Sequence, residues 1–326
     1  MFELQGVTVE GEYVVSDKDW ATREEQFYKS YTRETVDQTI IQEEGANDVT
    51  EAIADVPGVT VTSQGAFTKS ITIRGLDGNR VSTIVDGVRI GNQGMTHTGA
   101  GEINMTDLDA VSSIDIIKGS PSVIFDPGAS GGVVKVQTLN APVKKGLKLK
   151  QKVAYDHGYG KKESTTMISG GTGKVGGLLI YSKDKADDYK IAGQDRDKAL
   201  LINHYQLNQE MSPTPKTLKD LGYDAESLTL RGRADLGDET YVDVDFDKWV
   251  GKDIVSIHGN ITEGNASIFQ NERMERERTS IGLSGASFRK LENIAVKYSD
   301  QQLYQLGSAE TTLDSKNLVM SFDLPV

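Results

Sequence analysis

Ile71-Thr72-Ile73-Arg74-Gly75-Leu76-Asp77-Gly78-Asn79-Arg80-Val81-Ser82-Thr83-Ile84-Val85-Asp86-Gly87-Val88 is the stretch around which the chain is organised. Ile71–Arg74 and Val81–Val85 are rich in β-branched residues, and Asp77-Gly78-Asn79 between them tolerates positive φ, so the spacing predicts a short β-hairpin. Asp86-Gly87 is a second turn signal directly after it. No nucleophile and no metal-ligand spacing lies inside the stretch. Local physics therefore gives a compact sheet element with a basic edge.

The chain has 326 residues, room for two domains or one large one with a sizeable core. Its formal net charge is −12 and it has no Lys/Arg cluster, which argues against a nucleic-acid partner. It has no cysteine, so disulfides, thiolate metal sites and thiol nucleophiles are excluded. No apolar run reaches the ~18 residues of a membrane-spanning helix, whereas a β-barrel needs only alternation. Met1-Phe2-Glu3-Leu4 lacks the start of a signal peptide, which reads as a mature or truncated form.

Along the chain, Leu4-Gln5-Gly6-Val7-Thr8-Val9 is a β-prone patch in an otherwise polar segment. Asp48 and Glu51 have capping-box spacing, with Val49, Ala52, Ile53 and Val56 on one helical face and Pro57-Gly58 as the stop. Val59-Thr60-Val61 reads as a strand. Gly91 to Gly101 is Gly-rich and polar, an exposed loop of the kind that carries binding contacts. Ser113–Gly119 and Val133–Thr138 read as strands, with Ser120-Pro121 as a helix start between them.

From Leu147 onward the pattern is alternation. Leu228, Leu230, Gly232, Ala234 and Leu236 oppose Ser227, Thr229, Arg231, Arg233 and Asp235; Val242, Val244 and Phe246 oppose Asp243, Asp245 and Asp247. About eight strands are predicted, joined by short turns at Thr172-Gly173-Lys174, Leu236–Glu239 and Arg289–Glu292 and by longer links at Lys185–Glu226 and Gly251–Asn271. This asymmetry is that of outer-membrane barrels. A soluble β-sandwich shows the same period but not the same asymmetry.

Four motifs in order resemble the plug of TonB-dependent outer-membrane receptors: the Pro57-Gly58-Val59 turn, Ile73-Arg74-Gly75, Val85-Asp86-Gly87, and Ile114 to Val136 with its terminal Gly131-Gly132. Lys118 stands where the family has Arg, and Phe125-Asp126-Pro127 where it has Tyr-Gly. The resemblance covers about Glu34 to Thr138 and implies an α+β plug domain, a small mixed sheet with short helices, followed by all-β antiparallel transmembrane barrel strands. The expected organisation is an N-terminal TonB-box segment and linker over 1–33, a plug over 34–140 and a partial barrel over 147–326. Eight strands leave no room for a plug, since plugged transporters need about 22, so the barrel is expected to be incomplete and the chain to be the leading part of a longer receptor.

The resemblance further implies a receptor in the bacterial outer membrane, N-terminus in the periplasm, that takes up an iron chelate, haem or a ferric siderophore, with outer-membrane lipid around it. No resident cofactor is implied. TonB would pair with the strand of Leu4, Val7, Thr8 and Val9, for which the alternative is a frayed terminus. Gln93, Met95, Thr96, His97 and Thr98 would form the substrate-binding loop; a neutral His97 imidazole could ligate haem iron, against the plain reading of a solvated histidine. Arg74, Arg80 and Arg89 would bridge plug to barrel, with Asp243, Asp245 and Asp247 as partners, or else face solvent.

No catalytic residues and no metal site are legible. Gly171-Thr172-Gly173-Lys174-Val175-Gly176 has dinucleotide spacing but sits in a predicted hairpin turn, and His97, His157, His204 and His258 lack zinc-ligand spacing. The competing reading is a soluble or surface β-rich ligand-binding protein that reuses a plug-like module without transport. Residues 147–326 are expected to aggregate without detergent.

Overall fold

A computed structural model describes residues 32–63, 66–90, 102–119, 129–157, 160–187, 189–190, 217–218, 222–260, 265–288, 291–307 and 310–323. The expected TonB-box residues Leu4, Val7, Thr8 and Val9, the loop residues Gln93, Met95, Thr96, His97 and Thr98, and the Ser120-Pro121 helix start lie outside them.

Strand β1 (Thr32–Asp37) opens the fold and runs into helix α1 (Gln38–Glu44), neither of which the apolar pattern signals. Asp37 caps α1 by accepting from the Thr39 and Ile40 amides, and Gly45 ends it at φ 65°. The capping signal at Asp48 is met, since its Oδ1 accepts from the Glu51 amide at 3.0 Å. The helix it starts is one 3₁₀ turn, Glu51–Ile53, with Val49, Ala52 and Ile53 buried beneath it.

The expected hairpin is not formed. β3 (Lys69–Ile73) pairs with the preceding β2 (Val59–Ser63) in a sheet of its own, and the turn after it at Arg74-Gly75, at φ 51° and 80°, closes Ile73 on Leu76. β4 (Val81–Val85) instead makes its hairpin with β5 (Val88–Ile90), through Asp86-Gly87 at φ 50° and 80°. Both turns have positive φ at both central residues, which suits the twist of tight hairpins better than Asp77-Gly78-Asn79 does. β6 (Val111–Lys118) and β7 (Gly132–Thr138) complete a five-stranded sheet in the order β1-β6-β7-β4-β5, mixed because β4 and β7 are parallel. One face carries the core of Val36, Ile41, Ile53, Ile73, Val85, Ile114, Ile116, Val134 and Val136.

The rest is one antiparallel sheet built from β8 (Gly146–Asp156), β9 (Lys161–Gly171), β10 (Val175–Ala186), β13 (Tyr223–Gly237), β14 (Thr240–Asn260), β15 (Asn265–Phe288), β16 (Leu291–Leu306) and β17 (Glu310–Asp323). β11 (Tyr189–Lys190) and β12 (Thr217–Leu218) pair separately between β10 and β13. The sheet is open, with β8 and β17 at its edges. Gly251–Asn271 is not a long link: β14 and β15 stay paired through it, up to Asn260 and Asn265. The Gly171–Gly176 run is the β9–β10 turn, and its glycines let the incoming chain cross it, since a Cβ at Gly176 would lie 2.1 Å from the Pro142 carbonyl oxygen.

The two faces of this sheet differ as the alternation requires. Leu147, Leu149, Val153, Val175, Leu236, Val244, Ile281, Leu318 and Met320 face outward and are exposed. Beyond them, toward the ends with the longer strands, the outward face turns to cross-strand ion pairs, Lys183–Glu226 at 2.8 Å and Lys248–Glu277 at 3.1 Å. On β13 the apolar stretch runs from Leu236 to Leu228. At a rise of ~3.3 Å per residue and a tilt of roughly 40° it spans about 20 Å of membrane normal, close to the apolar band of an outer-membrane barrel.

Candidate functional site

The inner face of the sheet is polar, and the plug is seated on it. Asp86, held out of the five-stranded sheet by its turn, accepts from the Thr138 amide at 2.8 Å and the Thr138 hydroxyl at 3.0 Å. Arg278 reaches it from the wall: Nη2 lies 2.5 Å from Asp86 Oδ2, and Nη1 donates to the Val85 carbonyl at 2.8 Å. The same guanidinium is fixed from behind by Asp247 at 2.6 Å. Arg231 donates to Thr138 Oγ1 at 3.0 Å and to Asp247 Oδ1 at 2.8 Å. Burial pushes the Asp86 carboxyl up, but the charges of Arg278, Lys297 and Arg231 outweigh it and hold the group well below the usual carboxylate range.

A second station is the segment Ile103–Ala110. Asp107 Oδ1 caps its short 3₁₀ turn, and Oδ2 accepts from the hydroxyls of Ser182 at 2.5 Å and Ser227 at 2.8 Å. With no cation among these partners, burial pushes its carboxyl up. Asp109 accepts from Lys152 at 3.1 Å and from Thr165 at 2.6 Å. Arg276 donates to the Met105 carbonyl at 2.8 Å and to Thr106 Oγ1 at 3.2 Å. Farther along, Lys161 donates to the Asn47 carbonyl at 2.6 Å, and the Asn47 amide to Asp156 at 2.8 Å.

Beside these stations lies an aromatic cluster. Phe67 of the plug stacks on Trp249 at 4.9 Å and meets Tyr223 edge-on at 5.4 Å, with Met105, Met274 and Leu303 around them. An open cleft adjoins this cluster, lined by Asp48, Phe67, Asn104, Asp184, Tyr223 and Trp249. Asn104 donates to the Phe67 carbonyl, and its Oδ1 is buried with no partner among the described residues. Groups in this arrangement can hold a folded insert against a wall through ionic and hydroxyl contacts, with apolar contact confined to this cluster and to Ala110 and Ala141 against Leu178 and Ile180 among the described residues.

The three arginines expected at this interface are placed otherwise. Arg74 Nη2 lies 3.5 Å from Thr32 Oγ1, and Arg80 is paired with Asp77 at 2.7 Å on the plug surface; both are exposed. Arg89 lies on the edge strand β5. The carboxylates expected to receive them are engaged by the wall: Asp243 by Arg233 at 2.6 Å, Asp245 by Arg231 and Lys297, and Asp247 by Arg231 and Arg278. The bridging acid is on the plug and the bases are on the wall. Sequence reading missed Asp86, taken there only as a turn residue, and Arg276 and Arg278, which follow the expected Gly251–Asn271 link and were not singled out; their period-2 spacing was the available signal.

A plug seated on the inner face of an antiparallel sheet that is apolar outside defines a plugged outer-membrane barrel protein. Residues 27–133 match the TonB-dependent Receptor Plug Domain family, which makes this part of the chain a plug domain of that family. It is similar to a hemin receptor of Yersinia enterocolitica, 35% identical over 101 residues, which are 30% of this chain and 14% of the relative. An iron-regulated outer membrane virulence protein of Vibrio cholerae serotype O1 is 28% identical over 187 residues, 55% of this chain and 28% of the relative. The FrpB iron transporter of Neisseria meningitidis, in its apoprotein form, superposes with a TM-score of 0.70 at 15% identity, over 90% of this chain and 45% of the other. The chain thus spans less than half the length of that structure and under a third of these relatives.

Proposed function

We propose that this chain is the plug and leading wall of a receptor that takes up an iron chelate, haem or a ferric siderophore, and that TonB energises it by engaging the N-terminal segment. One observation carries the reading: the plug is joined to a membrane-facing wall through ionic and hydroxyl contacts around Asp86, Asp107 and Asp109, which water can replace when the plug is displaced. The hemin receptor among its relatives supports iron as the cargo element. The N-terminal segment leads directly into β1, an edge strand of the plug sheet, so a partner that binds there acts on the plug. In this reading Leu4, Val7, Thr8 and Val9 pair with TonB from the periplasm, and Gln93, Met95, Thr96, His97 and Thr98 meet the chelate. Arg74 and Arg80, exposed on the plug, would then meet wall strands beyond these eight.

The test is capture of the receptor by the C-terminal domain of TonB, with and without haem or a ferric siderophore, in wild type and Val7→Pro. Proline removes a backbone donor and breaks strand pairing. Ligand-enhanced capture that the substitution abolishes is the expected result, and the enhancing ligand names the cargo. Capture indifferent to both would overturn the reading in favour of a binding protein that reuses a plug.

A further inference from the structure

The row of polar groups that seats Asp107 on the wall has more contacts than hydroxyl protons to fill them. Thr165 Oγ1 lies 2.6 Å from Asp109 Oδ2, Ser182 Oγ 3.0 Å from Thr165 Oγ1 and 2.5 Å from Asp107 Oδ2, and Ser227 Oγ 2.8 Å from Asp107 Oδ2. These are four oxygen–oxygen contacts served by three hydroxyls, each with a single proton. The missing proton belongs to a carboxyl at one end of the row. Lys152 Nζ stands 3.1 Å from both oxygens of Asp109 and holds that end ionised. Asp107 is the other end.

No Lys or Arg among the described residues ion-pairs with Asp107; its Oδ1 accepts from the Asp109 amide at 2.9 Å. The charged groups facing it are engaged elsewhere. On the plug, Asp48 is paired with Lys69. On β8 and β9, Lys152 is shared by Asp109 and Glu163, and Lys161 is paired with Asp184 of β10, which also accepts from Tyr223. On β13 and β14, Glu226 and Lys248 pair outward, with Lys183 and Glu277. On β15, Arg278 is held by Asp86 and Asp247, and Arg276 donates to the Met105 carbonyl and the Thr106 hydroxyl.

We propose that Asp107 is a proton-binding site of the seated plug: its acid O–H donates to Ser182, Ser182 to Thr165 and Thr165 to Asp109, and the proton passes to water when the plug leaves the wall. On release the O–H bond breaks and its electron pair stays on the carboxylate. The release rests on the reading that the plug is displaced; the bound proton does not. Seating then takes up one proton. Docking accordingly weakens as pH rises from about 4, the value of an exposed carboxyl, through the raised value of the seated group, by up to about tenfold per pH unit. The sign is opposite to that at Asp86.

Infrared difference spectra of the whole protein in detergent, wild type against Asp107→Asn, test this without TonB or ligand. A protonated-carboxyl C=O band, absent from the variant, should persist in wild type to a pH well above about 4. Thr165→Val should lower the pH at which that band is lost, because the Ser182 proton is then free to turn to Asp107. The plug's denaturant midpoint should fall with rising pH in wild type relative to Asp107→Asn, whose amide donates to Ser182 as the acid does. A wild-type spectrum without the band above about pH 4 would overturn the proposal, as an Asp107 carboxylate turned onto Arg276 would produce. So would a band that Thr165→Val leaves in place, or midpoints that follow pH alike in both proteins. Loss of TonB capture with the band intact would count against plug displacement alone.

Discussion

Asp86 and Arg278, 192 residues apart in the chain, meet at 2.5 Å where the β4–β5 turn of the plug touches the inner face of the wall. Asp86 also holds both the amide and the hydroxyl of Thr138, so one carboxylate closes the plug sheet and docks it. Asp86→Ala should weaken docking by about 3–5 kcal/mol, because it leaves a buried guanidinium short of a partner. Amide hydrogen exchange at Val85–Val88 should rise in that variant. Exchange unchanged from wild type would show that the pair is not what holds the turn.

The same residue sets an acid limit. The Asp86 pKa is depressed in the folded protein, so its contribution is fully present above the unfolded-state value near 4 and is lost as pH falls toward the folded value. Docking should therefore weaken progressively below about pH 4 in wild type and much less in Asp86→Asn. Unfolding midpoints measured across that range decide it.

Inside the plug, buried Lys69 joins Asp48 and Glu51, each at 2.5 Å. Desolvation lowers the Lys69 pKa, but the two carboxylates outweigh it and raise it, so this stabilisation is present below the usual lysine value and lost only as pH climbs past it. Lys69→Met should destabilise the plug by about 3–5 kcal/mol, and Lys69→Met with Asp48→Asn by less than the two single changes together. Strict additivity in denaturant titrations would contradict the coupling.

Phe67 buries its ring against Trp249. Phe67→Ala should cost about 3–5 kcal/mol and shift the Trp249 emission to the red, read in a Trp20→Phe background that leaves Trp249 as the sole indole. An unshifted spectrum would mean that the plug does not cover this ring in solution.

At the crossing of the incoming chain over the β9–β10 turn, Gly176→Ala places a methyl 2.1 Å from the Pro142 carbonyl oxygen. A loss of about 2–3 kcal/mol is expected, since backbone on both sides must move. On the outer face, Ile281→Arg should hinder insertion into bilayers by up to about 2–4 kcal/mol, whereas the same change at a lumenal position should not.

Much of the architecture was legible because it rests on period. The apolar runs of β6 and β7 and the alternation of β13 and β14 announce a buried sheet and a two-faced wall. The mispaired hairpin shows the limit: Ile71–Arg74 and Val81–Val85 are neighbours in sequence, but β4 gains more from lying parallel to β7, some fifty residues on, and no local signal reports that choice. Gly251–Asn271 reads as a link, yet β14 and β15 stay paired through it up to Asn260 and Asn265. The densely charged Glu272–Arg278 that follows is tolerable in a strand because the plug supplies partners for its inward face. The docking role of Asp86 was hidden for the same reason, as its partner is set by the closed fold.

The alternation on β15 also acts as a proofreader of strand register. Arg276 and Arg278 point inward while Glu275 and Glu277 point outward. A slip of one residue against β14 would turn both guanidiniums outward and present Glu275 and Glu277 to Asp247 and Asp86, while Ile281 and Leu283 would leave the lipid for the polar lumen. Each error raises the energy of the slipped sheet, so a ribbon of 24 residues, long enough to be mispaired in many ways, has one alignment in which every charge finds its side.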